Sequence, residues 1–83
     1  MRKVTIYIKP KCPFCKKALL ELSREGVKPT VIDITGNAAL KNKMISESSR
    51  STVPQIFIGD THLGGCDNLL AAQKSGKLKE MLA

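Results

Sequence analysis

The segment Val4-Thr5-Ile6-Tyr7-Ile8, followed by Lys9-Pro10-Lys11 and then Cys12-Pro13-Phe14-Cys15, carries most of the architectural information in this chain. Its first five residues are all β-branched or aromatic, with Val4, Ile6 and Ile8 alternating with Thr5 and Tyr7. That pattern predicts a strand buried on both faces. Lys9-Pro10-Lys11 ends it. Pro13 suits the first turn of a helix, where its missing N–H costs nothing. Cys15, Ala18, Leu19 and Leu22 then recur at helical spacing, and Gly26 stands where a C-terminal glycine usually stops a helix. Cys12 therefore lies at the N-terminal edge of that helix, where free N–H groups and the helix dipole favour negative charge on sulfur. Cys15 lies one turn further in. Two cysteines at this spacing can close a disulfide within a helical turn, which points to thiol–disulfide exchange.

Working outward, Lys28 to Ile34 reads as a second strand. Strand, helix and strand at this spacing form a βαβ unit, so the two strands should be parallel. Gly36-Asn37 reads as a turn with an N-cap, and Leu40, Met44 and Ile45 mark one face of a second helix. Ser46 to Ser51 reads as a polar connector. Gln55 to Ile58 is the third expected strand, Gly59-Asp60 a two-residue hairpin turn, and Thr61 to Leu63 an antiparallel edge strand on which His62 is expected to be exposed. Gly64-Gly65 leads into a last helix with Leu69 and Leu70, which Gly76 interrupts before Leu78, Met81 and Leu82. The order βαβαββα describes an α/β domain, residues 1–83, with a four-stranded mixed sheet flanked by helices. A Cys-x-x-Cys pair opening the first helix of such a unit reads as thioredoxin-like.

A chain of 83 residues is one domain with a modest core, burying roughly 60% of its unfolded surface. With no Trp, one Tyr and two Phe, that core must be aliphatic. Fourteen basic against seven acidic residues give a net charge of +7, which favours anionic small molecules or acidic protein surfaces. No aromatic platform or recognition motif accompanies the charge, so nucleic acid is not an expected partner. No apolar run is long enough to span a membrane. Met1-Arg2-Lys3 is basic, but the apolar stretch after it has only five residues, too short for a signal-peptide core. The expected location is cytoplasmic, where a Cys-x-x-Cys pair is catalytic or metal-binding rather than structural. Cys66 and His62 are not spaced as a second zinc-ligand pair, so redox chemistry is the expected use and no metal is expected.

Three motifs in this order, Cys12-Pro13-Phe14-Cys15, Thr52-Val53-Pro54 and Gly64-Gly65-Cys66-Asp67, resemble those of a dithiol glutaredoxin of the small bacterial type. The resemblance runs from Val4 to Leu82. It implies a thioredoxin-like fold and a glutathione-dependent oxidoreductase, with Cys12 as nucleophile, Cys15 as resolving thiol, and glutathione as reductant and co-substrate. It also implies a glutathione site. Pro54 is cis in the family and faces the active-site cysteine, with Thr52 beside it and the Val53 backbone free to pair with the extended tripeptide. Gly65, Cys66 and Asp67 meet the γ-glutamyl end, through N–H groups at a helix start and the Asp67 carboxylate. Lys9 and Arg50 meet the glycine carboxylate, and Phe14, at a position where Tyr is commoner, packs beside the tripeptide. The partners implied are glutathione and glutathionylated or disulfide-containing proteins, with ribonucleotide reductase as a family-type substrate. Three rivals remain at this point: a redoxin of the same fold served by a flavoprotein reductase, an iron–sulfur carrier, and a simple anion-binding module. The Gly-Gly-Cys-Asp and Lys9 anchors weigh against the first. The rigid Pro13 weighs against the second.

Overall fold

A computed structural model describes residues 2–83. The elements follow in the order β1 (Val4–Ile8), α1 (Pro13–Arg24), β2 (Thr30–Asp33), α2 (Ala38–Ser48), β3 (Gln55–Ile58), β4 (Thr61–Gly64), α3 (Cys66–Ser75) and α4 (Lys77–Leu82). The sheet order is β2-β1-β3-β4. β1 pairs with β2 in parallel, with Ile6 opposite Val31. It pairs antiparallel with β3, with Ile6 opposite Ile56. This is the expected mixed sheet, and α1 is the crossover that parallel pairing of β1 and β2 requires.

Alternation along the strands builds two cores on opposite faces of the sheet. Val4 and Ile6 of β1 and Ile56 and Ile58 of β3 pack against Ala18 and Leu22 of α1, Leu69 of α3 and Leu78 of α4. On the other face, Tyr7 and Phe57 pack edge to face, with ring centroids 5.9 Å apart, against Met44 of α2. The Tyr7 hydroxyl donates to Glu47 Oε1 at 2.9 Å, which ties β1 to α2.

The ends of α1 follow from local chemistry. Pro13 occupies the first helical turn, as expected. At the other end Gly26 takes φ +74°, Gly26 N–H donates to Ser23 O and Val27 N–H donates to Leu22 O. This pair of bonds closes the helix in a Schellman motif, and the buried Val27 supplies its apolar contact. Asn37 caps α2 through Oδ1, which accepts from Leu40 N–H at 3.0 Å.

Three expectations need adjustment. β2 runs Thr30–Asp33 rather than from Lys28 to Ile34. The proposed connector from Ser46 is helical as far as Ser48, whose hydroxyl bonds back to Met44 O at 2.7 Å, and Ser49 ends α2 in the left-handed region at φ 60°. His62 is not simply exposed: its ring lies 5.0 Å from that of Phe57, and its Nε2 is 2.7 Å from Gln55 Oε1. As expected, Gly76 interrupts the last helix, taking φ +80° between α3 and α4.

The pairing of β3 with β4 is irregular. Phe57 lies opposite His62, but Ile56 lies opposite Gly64, so Leu63 is an extra residue, a bulge. The bulge swings the end of β4 toward the loop before β3. Gly65 comes so close there that a Cβ on it would stand 3.4 Å from Pro54 O. At Gly64, φ is +123° and a Cβ would collide with the Asn68 side chain. Glycine at position 64 is what leaves room for the Asn68 side chain at the start of α3.

Candidate active site at the start of the first helix

Cys12 is the N-cap of α1, with extended backbone and a side chain turned back over the helix start. Its Sγ accepts the Cys15 N–H at 3.1 Å and lies 3.8 Å from Val53 O. A cap normally uses an oxygen for this task; here a sulfur occupies the place where orphan N–H groups favour an anion. The first turn of α1 carries no acidic residue, while Lys9, Lys11, Lys16 and Lys17 flank the pair in sequence. Cys12 is half-buried and Cys15 is buried, both as free thiols.

The two sulfurs are therefore unequal. Burial, reinforced by the hydrogen bond with Cys12, pushes the Cys15 thiol up to about 12. The buried Cys66 is also shifted upward, first by desolvation and then by the neighbouring Asp67. Of the three, only Cys12 presents a sulfur to solvent in a site built for negative charge.

A groove of about 170 Å³ lies beside Cys12. Phe14 forms one wall, from the first turn of α1. Arg50, Thr52, Val53 and Pro54 form another, from the loop that enters β3. Gly65, Cys66 and Asp67 close the third side, at the start of α3. The Val53–Pro54 peptide is cis; proline has no N–H, so Pro54 brings no donor to the entry of β3, and Val53 O lies 3.8 Å from Cys12 Sγ. Of the residues expected from sequence to form a binding site, Lys9 alone does not line this groove. It is exposed, in the turn between β1 and α1, and its backbone N–H faces the Cys15 sulfur.

Asp67 is the second residue of α3, whose N-cap is Gly65. The carboxylate is exposed at the positive end of the helix, and it does not cap it. That work falls to Asn68, whose Oδ1 accepts from Gly65 N–H at 3.0 Å and from Arg50 Nη1 at 3.2 Å. Asn68 thus joins two walls of the groove, a role sequence reading missed. It also missed Gln55, another lining residue. The only signal for Gln55 was a polar residue in an otherwise apolar strand. It is 1% exposed, and its Nε2 donates to Thr52 O at 3.0 Å.

Next to the groove is a shallow apolar shelf of Pro13, Phe14 and Leu70, with Lys17 at its edge. Phe14 is 66% exposed and Leu70 37%, so the apolar surface beside Cys12 is open to a partner. Among the described residues no group of three or more His, Cys, Asp and Glu side chains is placed to hold a metal ion. No helix there is long and apolar enough to cross a membrane.

Comparison with known proteins gives a consistent picture. A family model described as Glutaredoxin matches residues 4–63. Glutaredoxin 3 of Escherichia coli strain K12 is 48% identical over 82 residues, covering 99% of this chain and 99% of that protein. The solution structure of a glutaredoxin from Brucella melitensis superposes with a TM-score of 0.87 at 44% identity, over 99% of this chain and 89% of that one. A buckwheat glutaredoxin–glutathione complex superposes with a TM-score of 0.88 at 26% identity, over 98% of this chain and 76% of that one.

Proposed function

The chain belongs to the glutaredoxin family, and on that footing we propose that Cys12 is its nucleophile, Cys15 its resolving thiol and the groove beside Cys12 its glutathione site. The protein is a glutathione-dependent thiol–disulfide oxidoreductase of the thioredoxin-like fold, acting on protein–glutathione mixed disulfides and protein disulfides. The observation that carries the residue assignment is the inequality of the two sulfurs. Cys12 Sγ accepts the Cys15 N–H at the start of α1, whereas burial keeps Cys15 protonated.

In the reading proposed, the Cys12 thiolate attacks the glutathionyl sulfur of a mixed disulfide. A Cys12–glutathione disulfide forms, the original S–S bond breaks, and the substrate thiolate leaves and takes a proton from water. A second glutathione, as thiolate, attacks the glutathionyl sulfur, forming glutathione disulfide and returning the Cys12 thiolate. A sulfur stabilised as an anion is also a good leaving group in this second step. With a protein disulfide, Cys12 forms the mixed bond to the substrate. Cys15 then displaces the substrate, leaving a Cys12–Cys15 disulfide for two glutathiones to reduce.

The groove supports this assignment through its chemistry. The Val53 backbone offers an edge to the extended tripeptide, as an added strand would find. N–H groups at the start of α3 suit the γ-glutamyl carboxylate, and the free Asp67 carboxylate suits its ammonium group. Arg50 at the opposite wall suits the glycine carboxylate, with Lys9 as a cation outside the groove. The apolar shelf of Phe14 and Leu70 would take the protein part of the substrate, ribonucleotide reductase being the family-type example. Reduction by glutathione fits the cytoplasm, where thiols are kept reduced.

The test is coupled turnover of a glutathionylated peptide with glutathione, glutathione reductase and NADPH. The parent should turn over, Cys12→Ser should not, and Asp67→Ala should raise KM roughly fivefold to tenfold at near-parent kcat, the size expected for one partly exposed charge-assisted hydrogen bond. Full activity in Cys12→Ser would overturn the assignment of the nucleophile. An unchanged KM in Asp67→Ala would remove Asp67 from the glutathione site.

A further inference from the structure

Behind the groove runs a chain of hydrogen bonds whose direction is fixed by the groups it joins. The Thr52 carbonyl can only accept, so the Gln55 atom 3.0 Å from it is the amide Nε2, which also lies 3.3 Å from Thr52 Oγ1. That orientation turns Gln55 Oε1 toward His62 Nε2, 2.7 Å away. An amide oxygen can only accept as well, so His62 Nε2 carries a proton. Gln55 is 1% exposed and has no solvent to turn to. Among the described residues no buried side-chain nitrogen or oxygen lacks a partner. Reversing the Gln55 amide would set its oxygen against the Thr52 carbonyl and break that balance. The imidazole itself is held by its packing on Phe57.

We propose that His62 and Gln55 are positioning residues for the glutathione groove: the His62 Nε2–H fixes the Gln55 amide, and that amide holds the Thr52 carbonyl so that the Val53 backbone is set for the tripeptide. The inference deepens the glutathione reading of the groove and rests on it. His62 lies on β4 and lines no part of the groove; it acts through Gln55 on β3 and Thr52 in the loop ahead of it. The segment it controls matters because Val53 O lies 3.8 Å from Cys12 Sγ. A displacement of Thr52 is passed directly to the residue that faces the nucleophile. Small misplacements of a binding edge weaken productive binding before they alter the chemistry of the bound state.

The relay makes a demand that packing alone does not. A side chain filling the His62 volume without an N–H would leave Gln55 Oε1 without its donor and free the amide to turn. A side chain of different shape that still donates would keep the relay. His62→Leu and His62→Gln separate these cases. In the coupled assay with a glutathionylated peptide, His62→Leu should raise KM roughly fivefold to tenfold with kcat near the parent value, the scale of one lost hydrogen bond. His62→Gln, which restores an N–H donor, should bring KM back to within about twofold of the parent. Unchanged KM in a folded His62→Leu variant, or equal losses in both variants, would overturn the proposal. Burial, with Arg50 nearby, lowers the pKa of the ring, so nitrogen-15 NMR of the parent, taken above the ordinary imidazole range, reads the tautomer of the neutral ring without any variant. An Nε2–H ring supports the relay, and an Nδ1–H ring refutes it even if His62→Leu does not fold. Absence of turnover in the parent would instead refute the glutathione reading itself, which keeps the two failures apart.

Discussion

Three cysteines of identical chemistry end up with three different environments, and position on a helix makes the difference. Cys12 precedes α1 and receives its N–H; Cys15, three residues on, faces the core; Cys66 begins α3 but is also buried. The structure thus separates a sulfur that can meet a substrate from one that can reach only a bond already formed at Cys12. The prediction that belongs to this scale concerns Cys15. Cys15→Ser should retain turnover of a glutathione mixed disulfide, which needs Cys12 alone. It should lose most of its reduction of a protein disulfide, which needs the second sulfur. Parallel assays on a glutathionylated peptide and on a protein disulfide check this, and equal loss on both substrates would contradict it. Ser49 is a second case in which position outweighs residue type. It holds φ 60° without being glycine, so Ser49→Gly should stabilise the fold by about 1 kcal/mol, measured by urea denaturation.

At the scale of elements, α1 and α3 are joined by a polar clamp as well as by the core. Glu21 Oε1 accepts from Gln73 Nε2 at 3.2 Å, and its Oε2 meets Lys17 at 3.3 Å and Arg24 at 3.2 Å. The Gln73 hydrogen bond and the two cations hold the Glu21 carboxyl below the usual carboxylate range. A carboxyl shifted this way contributes stability that is full above its unfolded value and is lost as pH falls through its lower folded value. Thermal melts taken from neutral pH down through the carboxylate range should therefore fall more steeply for the parent than for Glu21→Gln. Parallel curves would show that the clamp contributes nothing. The clamp itself was not legible in the sequence, because Glu21 and Gln73 lie far apart along the chain. The elements were legible, since their signals are local: alternation for β1, Pro13 and Gly26 at the ends of α1, Asn37 before α2 and Gly59-Asp60 at the hairpin. Two of the three misreadings, the Ser46 connector and His62, share one cause. Ser46 and Ser48 lack helical character by type, and His62 lacks an apolar signature. In both places a partner distant from the local pattern, Met44 O or the Gln55 and Phe57 side chains, settles the outcome.

For the molecule as a whole, the sheet brings to one end three segments that the sequence keeps well apart. The start of α1, the Thr52-Val53-Pro54 loop and the start of α3 meet there because β1 and β3 are neighbours and the β4 bulge turns the chain back. Motifs identified those three segments, but Asn68 and Gln55, which join and brace them, emerge only once the segments are in place. Charge acts at this same scale. The chain carries +7 over a body of 34 × 24 × 19 Å. At ~0.01 M ionic strength the screening length is about 30 Å, comparable to the molecule, so the whole surface attracts an anion; at ~0.15 M it is about 8 Å, and only charges near the groove act. The glutathionyl group adds one net negative charge, so kcat/KM for a glutathionylated peptide of net negative charge should fall several-fold between these two conditions, on the order of threefold to tenfold. A peptide of the same sequence made net positive by added lysines should show a flat or opposite dependence. Identical salt profiles for the two peptides would mean that the excess of lysine and arginine plays no part in capture, leaving recognition to the groove alone.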